Sequence, residues 1–373
     1  MKNSPIRYAV VGLGDIAQEA VLPAFKRCRN SELTALVSGD VKKRDRLGLK
    51  YKVKNAFSYE EYTDCLKSGL IDAVYIALPN HLHREYTVRA AESKIHVLCE
   101  KPMAVTESEC LAMNRVCREN DVKLMIAYRL HFEKANLEAI RFIHQKKKIG
   151  DPRMFQSIHS QAAKAPNIRI LPISKGGGPT YDMGIYDINA ARYLFKDEPI
   201  SVFAEAIIGS RKPFMDTEET MSVVLRFPQD RLASLIYSFG TVKTDTFRMV
   251  GSKGEISLDP AYNYVGGKTM RLSDGENKKI IKFKSSDHFA AEIDYFSECI
   301  LKNRTPEPSG EEGLVDIQII QAIFESVKTR RPVALKLKKK ELAVSPNQEI
   351  FRPALRVVPK LVDAENPSKE KAS

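Results

Sequence analysis

A strand-like run near the start of the chain leads directly into a glycine-rich turn, and this junction constrains the fold more than any other feature. The run is Ile6–Val11, and the turn reads Gly12-Leu13-Gly14-Asp15-Ile16-Ala17, with G-x-G-x-x-A spacing. Gly12 permits a tight turn, Gly14 lets backbone amides approach a pyrophosphate, and Ala17 allows helix and strand to pack closely. Because a helix N-terminus presents free N–H groups, residues 12–16 are predicted to bind a dinucleotide. A glycine turn without a ligand is the alternative.

Strand-like and helix-like segments then alternate through residues 1–127. Such alternation implies right-handed crossovers and a parallel, doubly wound sheet, which is the Rossmann arrangement. The predicted strands are 6–11, 33–37, 71–78, 95–98 and 122–127, and the predicted helices include 16–28 and 106–120. We therefore assign residues 1–127 to an N-terminal dinucleotide-binding domain of the α/β class.

The pattern changes after residue 128. Predicted β-rich segments lie close together, and several end at turn sequences such as Gly251-Ser252-Lys253-Gly254. This pattern predicts an α+β domain over residues 128–341, built on a large, mostly antiparallel sheet with helices on one face. Its predicted strands are 154–159, 201–208, 220–227, 232–239 and 246–250, and its predicted helices are 186–195, 289–301 and 313–328. Residues 342–373 are rich in proline and charge, lack periodicity, and are assigned to a C-terminal arm.

Composition places the chain among ordinary globular proteins. Of its 373 residues, 43% are hydrophobic and 28% charged. No apolar run approaches the roughly 20 residues that span a bilayer, and no signal-peptide pattern precedes the first strand. The six cysteines include no C-x-x-C pair, so free thiols in a reducing compartment are expected. We therefore expect a cytoplasmic protein without a membrane partner.

The net charge of +12 raises the alternative of a nucleic-acid partner. The basic runs are short and scattered, however, and no helix-turn-helix, zinc knuckle or aromatic stacking signature accompanies them. A solvated basic surface and no nucleic-acid binding are therefore expected. The histidines also lack metal-ligand spacing, since His81 and His83 form only an H-x-H pair and His131, His144 and His159 are scattered. No metal is expected.

The end of the second predicted strand indicates which nucleotide binds. NAD-selective sites usually place Asp or Glu there, to accept hydrogen bonds from the ribose hydroxyls. This chain has Ser38 and Gly39 at that place, and Lys43 and Arg44 follow. A hydroxyl beside cations suits a 2′-phosphate, which a carboxylate would repel. NADP is therefore predicted over NAD, with Asp40 as the residue that complicates the assignment.

A lysine and a tyrosine supply candidate acid–base chemistry. Lys101 follows the predicted strand 95–98 and would lie beside the cleft. Asp182, Tyr186 and Asn189 have i, i+4, i+7 spacing, which predicts that they share one helical face. A lysine near a tyrosine favours the phenolate, so the pair could exchange a proton with a substrate. An exposed lysine and a core tyrosine are the alternative interpretation.

Taken together, these motifs resemble those of the glucose–fructose oxidoreductase/inositol dehydrogenase family. The shared features are the early G-x-G-x-x-A turn, the Glu100-Lys101-Pro102 sequence and a D-x-G-x-Y-x-x-N sequence at 182–189. Inositol dehydrogenase-like members carry D-x-G-x-H-x-x-D instead. Tyr186 and Asn189 at those two positions resemble the glucose–fructose oxidoreductase and aldose dehydrogenase branch, which uses a lysine–tyrosine couple and NADP. The resemblance covers nearly the whole chain.

The resemblance also implies further cofactor contacts. Residues 77–83 look like the family's loop after the fourth strand, and Tyr128-Arg129 looks like its crossing into the second domain. Residues 167–169 resemble its Asn-Trp-Arg segment, with Ile168 in place of the aromatic residue. The cofactor-binding residues implied beyond the glycine turn and the ribose site are Leu78, Pro79, Asn80, His83, Glu100, Lys101, Arg129 and Arg169.

Hydride transfer between a sugar and the nicotinamide is the reaction that the resemblance implies. Tyr186 would take the proton of an anomeric hydroxyl, Lys101 would stabilise the phenolate, and Asp182 would bond the lysine or a sugar hydroxyl; the product is a lactone. The implied substrate-binding residues are Lys101, Asp182, Tyr186 and Asn189. An NADPH-dependent reductase of a keto-sugar or other carbonyl compound is the first alternative. A nucleotide-binding regulator without turnover is the second.

An oligomer is implied as well. The family uses the sheet face of the second domain as an interface, so a homodimer or a homotetramer is expected. Residues 345–361 resemble the C-terminal arm of the same branch, which implies an ordered arm on a partner subunit. The sugar, the direction of the reaction and the release of nucleotide after each turnover are left open by the sequence.

Overall fold

The computed structural model describes residues 4–163, 167–209, 212–338, 342–354 and 359–364. Its first part is a six-stranded sheet in the order β3-β2-β1-β4-β5-β6, with all neighbouring strands parallel. The strands are β1 (Ile6–Val11), β2 (Ser31–Val37), β3 (Asn55–Phe57), β4 (Ala73–Ile76), β5 (His96–Glu100) and β6 (Leu124–Ala127). The predicted parallel, doubly wound sheet is confirmed.

Both faces of this sheet are buried, which explains why its strands are almost continuously apolar. Tyr8 and Val10 of β1 face one core cluster, whereas Ala9 and Val11 face the other. The helices that cover the sheet are α1 (Leu22–Ala24), α2 (Val41–Tyr51), α3 (Tyr62–Lys67), α4 (His83–Glu92) and α5 (Glu107–Glu119). Helical turns flank them at Ala17–Val21 (π), Phe25–Arg27 (3₁₀) and Asn80–Leu82 (3₁₀).

The second part is a nine-stranded sheet in the order β14-β13-β12-β11-β7-β10-β9-β8-β15. Its neighbouring strands are antiparallel except β7 and β10, so the predicted mostly antiparallel sheet is confirmed. The strands are β7 (Pro152–Ser160), β8 (Ser201–Ile208), β9 (Glu218–Phe227), β10 (Arg231–Ser238), β11 (Thr244–Gly251), β12 (Glu255–Asp259), β13 (Lys268–Ser273), β14 (Lys278–Phe283) and β15 (Val333–Ala334).

The helices of this second part lie on both sheets. They are α6 (Lys134–Ile140), α7 (Ile185–Phe195), α8 (His288–Leu301) and α9 (Gly310–Thr329). Shorter helical turns are Arg129–Phe132, Arg141–Gln145, Ile168–Ile170, Ile173–Lys175, Thr180–Gly184 and Pro346–Gln348. Helix α8 differs from the expectation that helices after residue 128 cover the second sheet, because its Phe289 and Phe296 join the core cluster of Tyr8 and Val10. The Tyr8 hydroxyl also lies 2.8 Å from the Ser297 Oγ.

One face of the nine-stranded sheet is open. Along β7, Phe155 and Ser157 are buried, whereas Met154 and Ile158 are exposed. This alternation follows the two-residue period of a strand with one face against helices. The open face is unusual in carrying large apolar side chains in register across several strands, as described below.

The described part of the C-terminal arm packs on its own chain. Arg352 donates from Nε to Asp294 Oδ2 at 2.8 Å, and Gln348 donates from Nε2 to the Glu307 carbonyl at 2.8 Å. An isolated bridge joins Ser286 to Pro353. The described arm residues thus contact their own chain, while an ordered arm on a partner subunit stays a prediction. Residues 355–358 and 365–373 of the arm lie outside the described residues.

Candidate active site

The glycine turn after β1 forms an open cradle at the carboxyl edge of the parallel sheet. Gly12 has φ +92°, and a Cβ there would lie 2.5 Å from the Ala77 carbonyl oxygen. A Cβ at Gly14 would meet no atom within 4 Å. The Gly12 N–H donates to the Val37 carbonyl at 2.9 Å, which ties the turn to β2. The turn therefore fits a dinucleotide pyrophosphate, which would occupy the open side of Gly14.

The other residues of the turn contribute mainly backbone. Leu13 is 2% exposed and packs in a core cluster, so its side chain does not face the cradle. Asp15 and Ile16 begin the helix, and the first N–H groups of a helix have no partner within it. These N–H groups are the ones that a phosphate would engage.

The end of β2 presents a hydroxyl beside cations. Ser38 Oγ accepts from the Asp40 N–H at 3.3 Å, and Arg44 donates to the Ser38 carbonyl. Asp40 caps α2, because its Oδ1 accepts from the Lys43 N–H at 3.2 Å. This capping role explains an acidic residue so close to the ribose site. The hydroxyl, Lys43 and Arg44 fit a 2′-phosphate.

Tyr59 is a residue of this region that the sequence did not indicate. A Cβ at Gly39 would lie 3.2 Å from its ring, and its hydroxyl bonds the Ser38 side chain. Burial raises the pKa of Tyr59, and the Ser38 hydrogen bond opposes that rise. The requirement for glycine at position 39 therefore comes from contact with an aromatic ring after β3.

Lys101 and Asp182 meet where the two sheets approach each other. Lys101 follows β5, and its Nζ donates to the Asp182 carbonyl at 2.8 Å and to Asp182 Oδ1 at 3.2 Å. Asp182 Oδ2 lies 3.2 Å from Arg169 Nε. The same Nζ lies 4.6 Å from the centroid of the Tyr186 ring. The structure thus brings together Lys101, Asp182, Tyr186 and Arg169, which the sequence selected separately.

The charges of this cluster are mutually stabilising. Burial would lower the pKa of Lys101, but the facing Tyr186 and Asp182 and the neighbouring Glu100 outweigh it and raise that pKa. Burial would raise the pKa of Asp182, but the cations of Arg169 and Lys101 outweigh it and hold that pKa below its usual range. Lys101 is therefore a cation and Asp182 an anion at neutral pH. The Lys101 cation lies over the ring of Tyr186.

Arg129 is a second cation beside the tyrosine. Its guanidinium is 4.9 Å from the centroid of the Tyr186 ring, and its Nη2 donates to the Tyr262 carbonyl at 2.5 Å. Its buried Nη1 makes no hydrogen bond among the described residues. Two cations thus lie beside the ring of Tyr186. An unpaired donor of this kind fits a polar group of a bound ligand.

Glu100 supports Lys101 from behind. Its carboxylate accepts from the Tyr75 hydroxyl at 2.8 Å and from the Lys101 N–H at 3.2 Å, and burial raises its pKa. Both bonds turn the carboxyl group inward, under the first sheet. The structure therefore gives Glu100 a positioning role instead of the direct cofactor contact that we expected.

His83 is a correction to the predicted site. Its side chain is fully buried, and its ring nitrogens lie 2.8 Å from the Leu78 and Pro102 carbonyl oxygens. The imidazole thus joins the loop after β4 to the loop after β5 and does not line the cleft. Asn80 does reach across the cleft, donating to the Gly176 carbonyl at 2.6 Å. Pro79, between Leu78 and Asn80 in sequence, is half-buried.

Asn189 is the second correction. It is 3% exposed, and its amide nitrogen donates to Glu312 at 2.7 Å and to Asp316 at 2.9 Å. Its amide oxygen lies 2.7 Å from His131 Nε2. Helix α7 is buried almost all round, so only its first turn reaches the cleft. Asp182, moreover, lies in the π-helical turn Thr180–Gly184, which breaks the 3.6-residue period assumed from the spacing.

A histidine–aspartate pair adjoins the cluster. His159 Nδ1 lies 3.5 Å from Asp187 Oδ2, and the imidazole is 6.2 Å from Tyr186 and 4.8 Å from Tyr262, measured between ring centroids. Asp187 is fully buried and accepts from Ser157 Oγ. Sequence reasoning treated His159 as isolated, because strand β7 and helix α7 bring it to Tyr186 only in the folded chain.

Two further findings concern metals and membranes. Among the described residues, no group of three or more His, Cys, Asp or Glu side chains is arranged to hold a metal ion. No helix within the described part of the chain is long and apolar enough to cross a membrane.

Comparisons with known proteins agree with this geometry. The model of an oxidoreductase family with an NAD-binding Rossmann fold matches residues 6–128, and the GFO/IDH/MocA C-terminal domain matches residues 137–257. The chain is 33% identical to the D-xylose 1-dehydrogenase (NADP(+)) of Haloarcula marismortui, over 89% of this chain and 94% of that protein. It is 26% identical to the 1,5-anhydro-D-fructose reductase of Ensifer adhaerens, over 87% of this chain and 96% of that protein.

A solved structure is similar over the same extent. The aldose-aldose oxidoreductase of Caulobacter crescentus, complexed with glycerol, superposes with a TM-score of 0.85 at 35% identity, covering 89% of this chain and all of that one. The resemblance inferred from the motifs is thus confirmed, as is the expectation of a nicotinamide-dependent enzyme. The chain belongs to the GFO/IDH/MocA family of oxidoreductases.

Proposed function

We propose that the protein is an NADP-dependent sugar oxidoreductase that oxidises an aldose at C1 to a lactone. The observation that carries the proposal is the contact of one ammonium group, Lys101 Nζ, with both Asp182 and the ring of Tyr186 at the mouth of the dinucleotide cradle. Relatives named as D-xylose dehydrogenases and an aldose-aldose oxidoreductase support the substrate class.

In this proposal, different residues bind different parts of NADP. The Gly12–Gly14 turn holds the pyrophosphate, while Ser38, Lys43 and Arg44 hold the 2′-phosphate. When bound, the oxidised nicotinamide supplies the hydride acceptor. Two observations support the binding of NADP by these residues. The turn is open at Gly14, and a hydroxyl lies beside cations at the end of β2.

Tyr186 performs the proton transfer in this scheme. As the general base, Tyr186 accepts the proton of the anomeric hydroxyl as the C1–H bond breaks, with the Lys101 cation beside its ring. Asp182 is bound by Lys101 and Arg169 and fixes both cations, so the lysine is held at the tyrosine. The anomeric hydroxyl thereby loses its proton and C1 loses a hydride, and a lactone results. Reduction of a carbonyl substrate is the same path reversed, with Tyr186 as the acid.

A reductase is the second candidate, and a specific observation favours it. The chain is similar over most of its length to a protein named 1,5-anhydro-D-fructose reductase. Because the geometry serves both directions, only measured turnover separates the two. A regulator without turnover is disfavoured by the preserved Lys101, Asp182 and Tyr186 contacts.

Spectrophotometry of the reduced nicotinamide tests the proposal. Purified protein is mixed with NADP⁺, first stoichiometric and then in excess, and with a panel of aldoses that includes xylose and glucose. Continuous formation of NADPH supports a dehydrogenase with exchangeable cofactor. A single-turnover rise supports retained cofactor and a two-sugar reaction. If no NADPH forms with any aldose but keto-sugars oxidise NADPH, the reductase is the correct function. If neither reaction occurs, both functions are refuted.

We also propose that the open face of the nine-stranded sheet joins two copies of the chain. Leu232 pairs with Met154 and Ile236 with Ile158 across β10 and β7, and all four side chains are exposed. Val224 on β9 extends the apolar surface. Ser234 and Gln156 lie between the two apolar pairs. An isologous pairing would cover these exposed apolar side chains on both copies.

A cytoplasmic location is proposed on chemical grounds. All six cysteines are free thiols, which suits a reducing compartment.

A further inference from the structure

The side chain of Gln18 joins the glycine turn to the C-terminal arm. Its Nε2 donates to the Leu13 carbonyl at 2.9 Å and to the Val362 carbonyl at 2.8 Å. Its Oε1 accepts from the Val362 N–H at 2.7 Å. Gln18 is fully buried, so these bonds replace water around its amide. One buried amide thus connects two segments 344 residues apart in sequence.

Gln18 also supports the dinucleotide cradle from the interior of the protein. Its backbone N–H donates to the Gly14 carbonyl at 3.1 Å, and its side chain holds the carbonyl of Leu13 from the inner side. The carbonyls of both residues are therefore directed away from the open side of the turn. Their orientation matters, because a carbonyl turned outward would repel the phosphates that the N–H groups attract.

Other described residues of the arm also bond the body of the protein. Arg352 bonds Asp294 of α8, and its carbonyl accepts from the Asp287 N–H at 2.9 Å. Farther along, the Lys360 carbonyl accepts from Lys50 Nζ of α2 at 3.2 Å. The described arm residues thus contact α8 and then α2. Val362 bonds Gln18 in the helical turn Ala17–Val21, which follows the glycine turn.

We propose that the C-terminal arm holds the dinucleotide turn in its binding conformation through Gln18, and that this contact slows the release of NADP(H). The inference rests on the proposed function, because it assumes that the turn binds this nucleotide. Its physical basis is preorganisation: bonds that fix the turn before binding reduce the ordering that the ligand must otherwise impose. Gln18 and Val362 are positioning residues in this proposal and do not touch the nucleotide.

Full-length point variants test the proposal. Val362→Pro removes the backbone N–H that donates to Gln18 Oε1. Lys360→Pro is the matched control. It adds the same ring two residues earlier, where the backbone N–H donates to no described residue. Gln18→Leu removes all three side-chain bonds. The measurement is the rate of NADPH dissociation, followed by its fluorescence when excess NADP⁺ displaces it. Thermal unfolding of each variant is recorded in parallel.

Val362→Pro and Gln18→Leu are expected to release NADPH about tenfold faster, the scale of one or two buried hydrogen bonds, and Lys360→Pro less than about twofold faster. The double variant should release it no faster than Gln18→Leu, because both changes break the same contact. KM for NADP⁺ should rise with kcat retained. Equal release rates for Val362→Pro and Lys360→Pro, or additive effects in the double variant, would overturn the proposal. Failure of the unaltered protein to bind NADPH at all would instead overturn the proposed function and this inference with it.

Discussion

The ammonium group of Lys101 lies 4.6 Å from the ring centroid of Tyr186, although 85 residues separate the two in sequence. Lys101 comes from the end of β5 in the first sheet, and Tyr186 comes from the first turn of α7 on the second. Lys101 Nζ donates two hydrogen bonds to Asp182, and these bonds fix the position of the lysine. The candidate acid–base pair is therefore assembled by the approach of the two sheets.

Substitution of either member of this pair is expected to abolish most of the turnover. Lys101→Met removes the cation and Tyr186→Phe the proton carrier, so kcat should fall about 100-fold or more in each. Nucleotide affinity, measured by NADPH fluorescence, should change less than about twofold, because neither group belongs to the phosphate sites. Near-normal turnover of Tyr186→Phe would contradict the proposed role of the Tyr186 hydroxyl in proton transfer.

Ser38→Asp is expected to shift the cofactor preference toward NAD. A carboxylate at this position would repel the 2′-phosphate and accept from ribose hydroxyls instead. The ratio of NADP⁺ to NAD⁺ affinities should fall about 30- to 100-fold, the scale of one lost hydrogen bond to a charged group. Ser38→Ala serves as the control, since it removes the hydroxyl without adding charge. An unchanged ratio in the aspartate variant would place the 2′-phosphate elsewhere.

The two glycines of the turn should respond differently to added side chains. Gly14→Val projects into open space, so the protein should fold normally and bind NADPH at least about tenfold more weakly. Gly12→Ala would meet the Ala77 carbonyl and requires a positive φ, so its unfolding free energy should fall by about 1–3 kcal/mol. Chemical denaturation and NADPH titration of both variants measure the two effects. Normal nucleotide binding by Gly14→Val would contradict the cradle.

Asn189→Ala is expected to reduce stability more than it affects the sugar. The substitution leaves the carboxylates of Glu312 and Asp316 without the amide donor, and the unfolding free energy should fall by about 2 kcal/mol. KM for the sugar should stay within about twofold of its unaltered value, because the side chain faces away from the cleft. A large rise in KM without loss of stability would restore Asn189 to the substrate site.

Ile236→Lys is expected to dissociate the oligomer. The lysine would place a charge at the centre of the apolar surface that Ile236 shares with Ile158, and burying an unpaired charge is unfavourable. Sedimentation velocity should show a smaller species than the unaltered protein. Leu49→Lys is the matched control, because Leu49 is also an exposed apolar residue but lies on helix α2, away from the nine-stranded sheet. Identical sedimentation of the two variants would exclude this face as the interface.

The sequence alone determined those features that depend on residues close together in the chain. The glycine turn after β1 requires a positive φ at Gly12 and a missing side chain at Gly14, and both demands can be recognised within six residues. Strand and helix periodicity likewise located most of both sheets, because each element must bury its own apolar face. The capping box of Thr106 and Glu109 begins α5 within one turn of chain.

Tertiary structure alone decided which polar side chains face the cleft. His83 and Asn189 look like site residues in sequence, yet each is directed into the protein by partners far along the chain, Pro102 and Glu312 respectively. Conversely, His159 gave no sequence signal and lies beside Tyr186. The physical reason is that a polar side chain follows its strongest available partners, and those partners become neighbours only when the two sheets, the helices between them and the arm have packed.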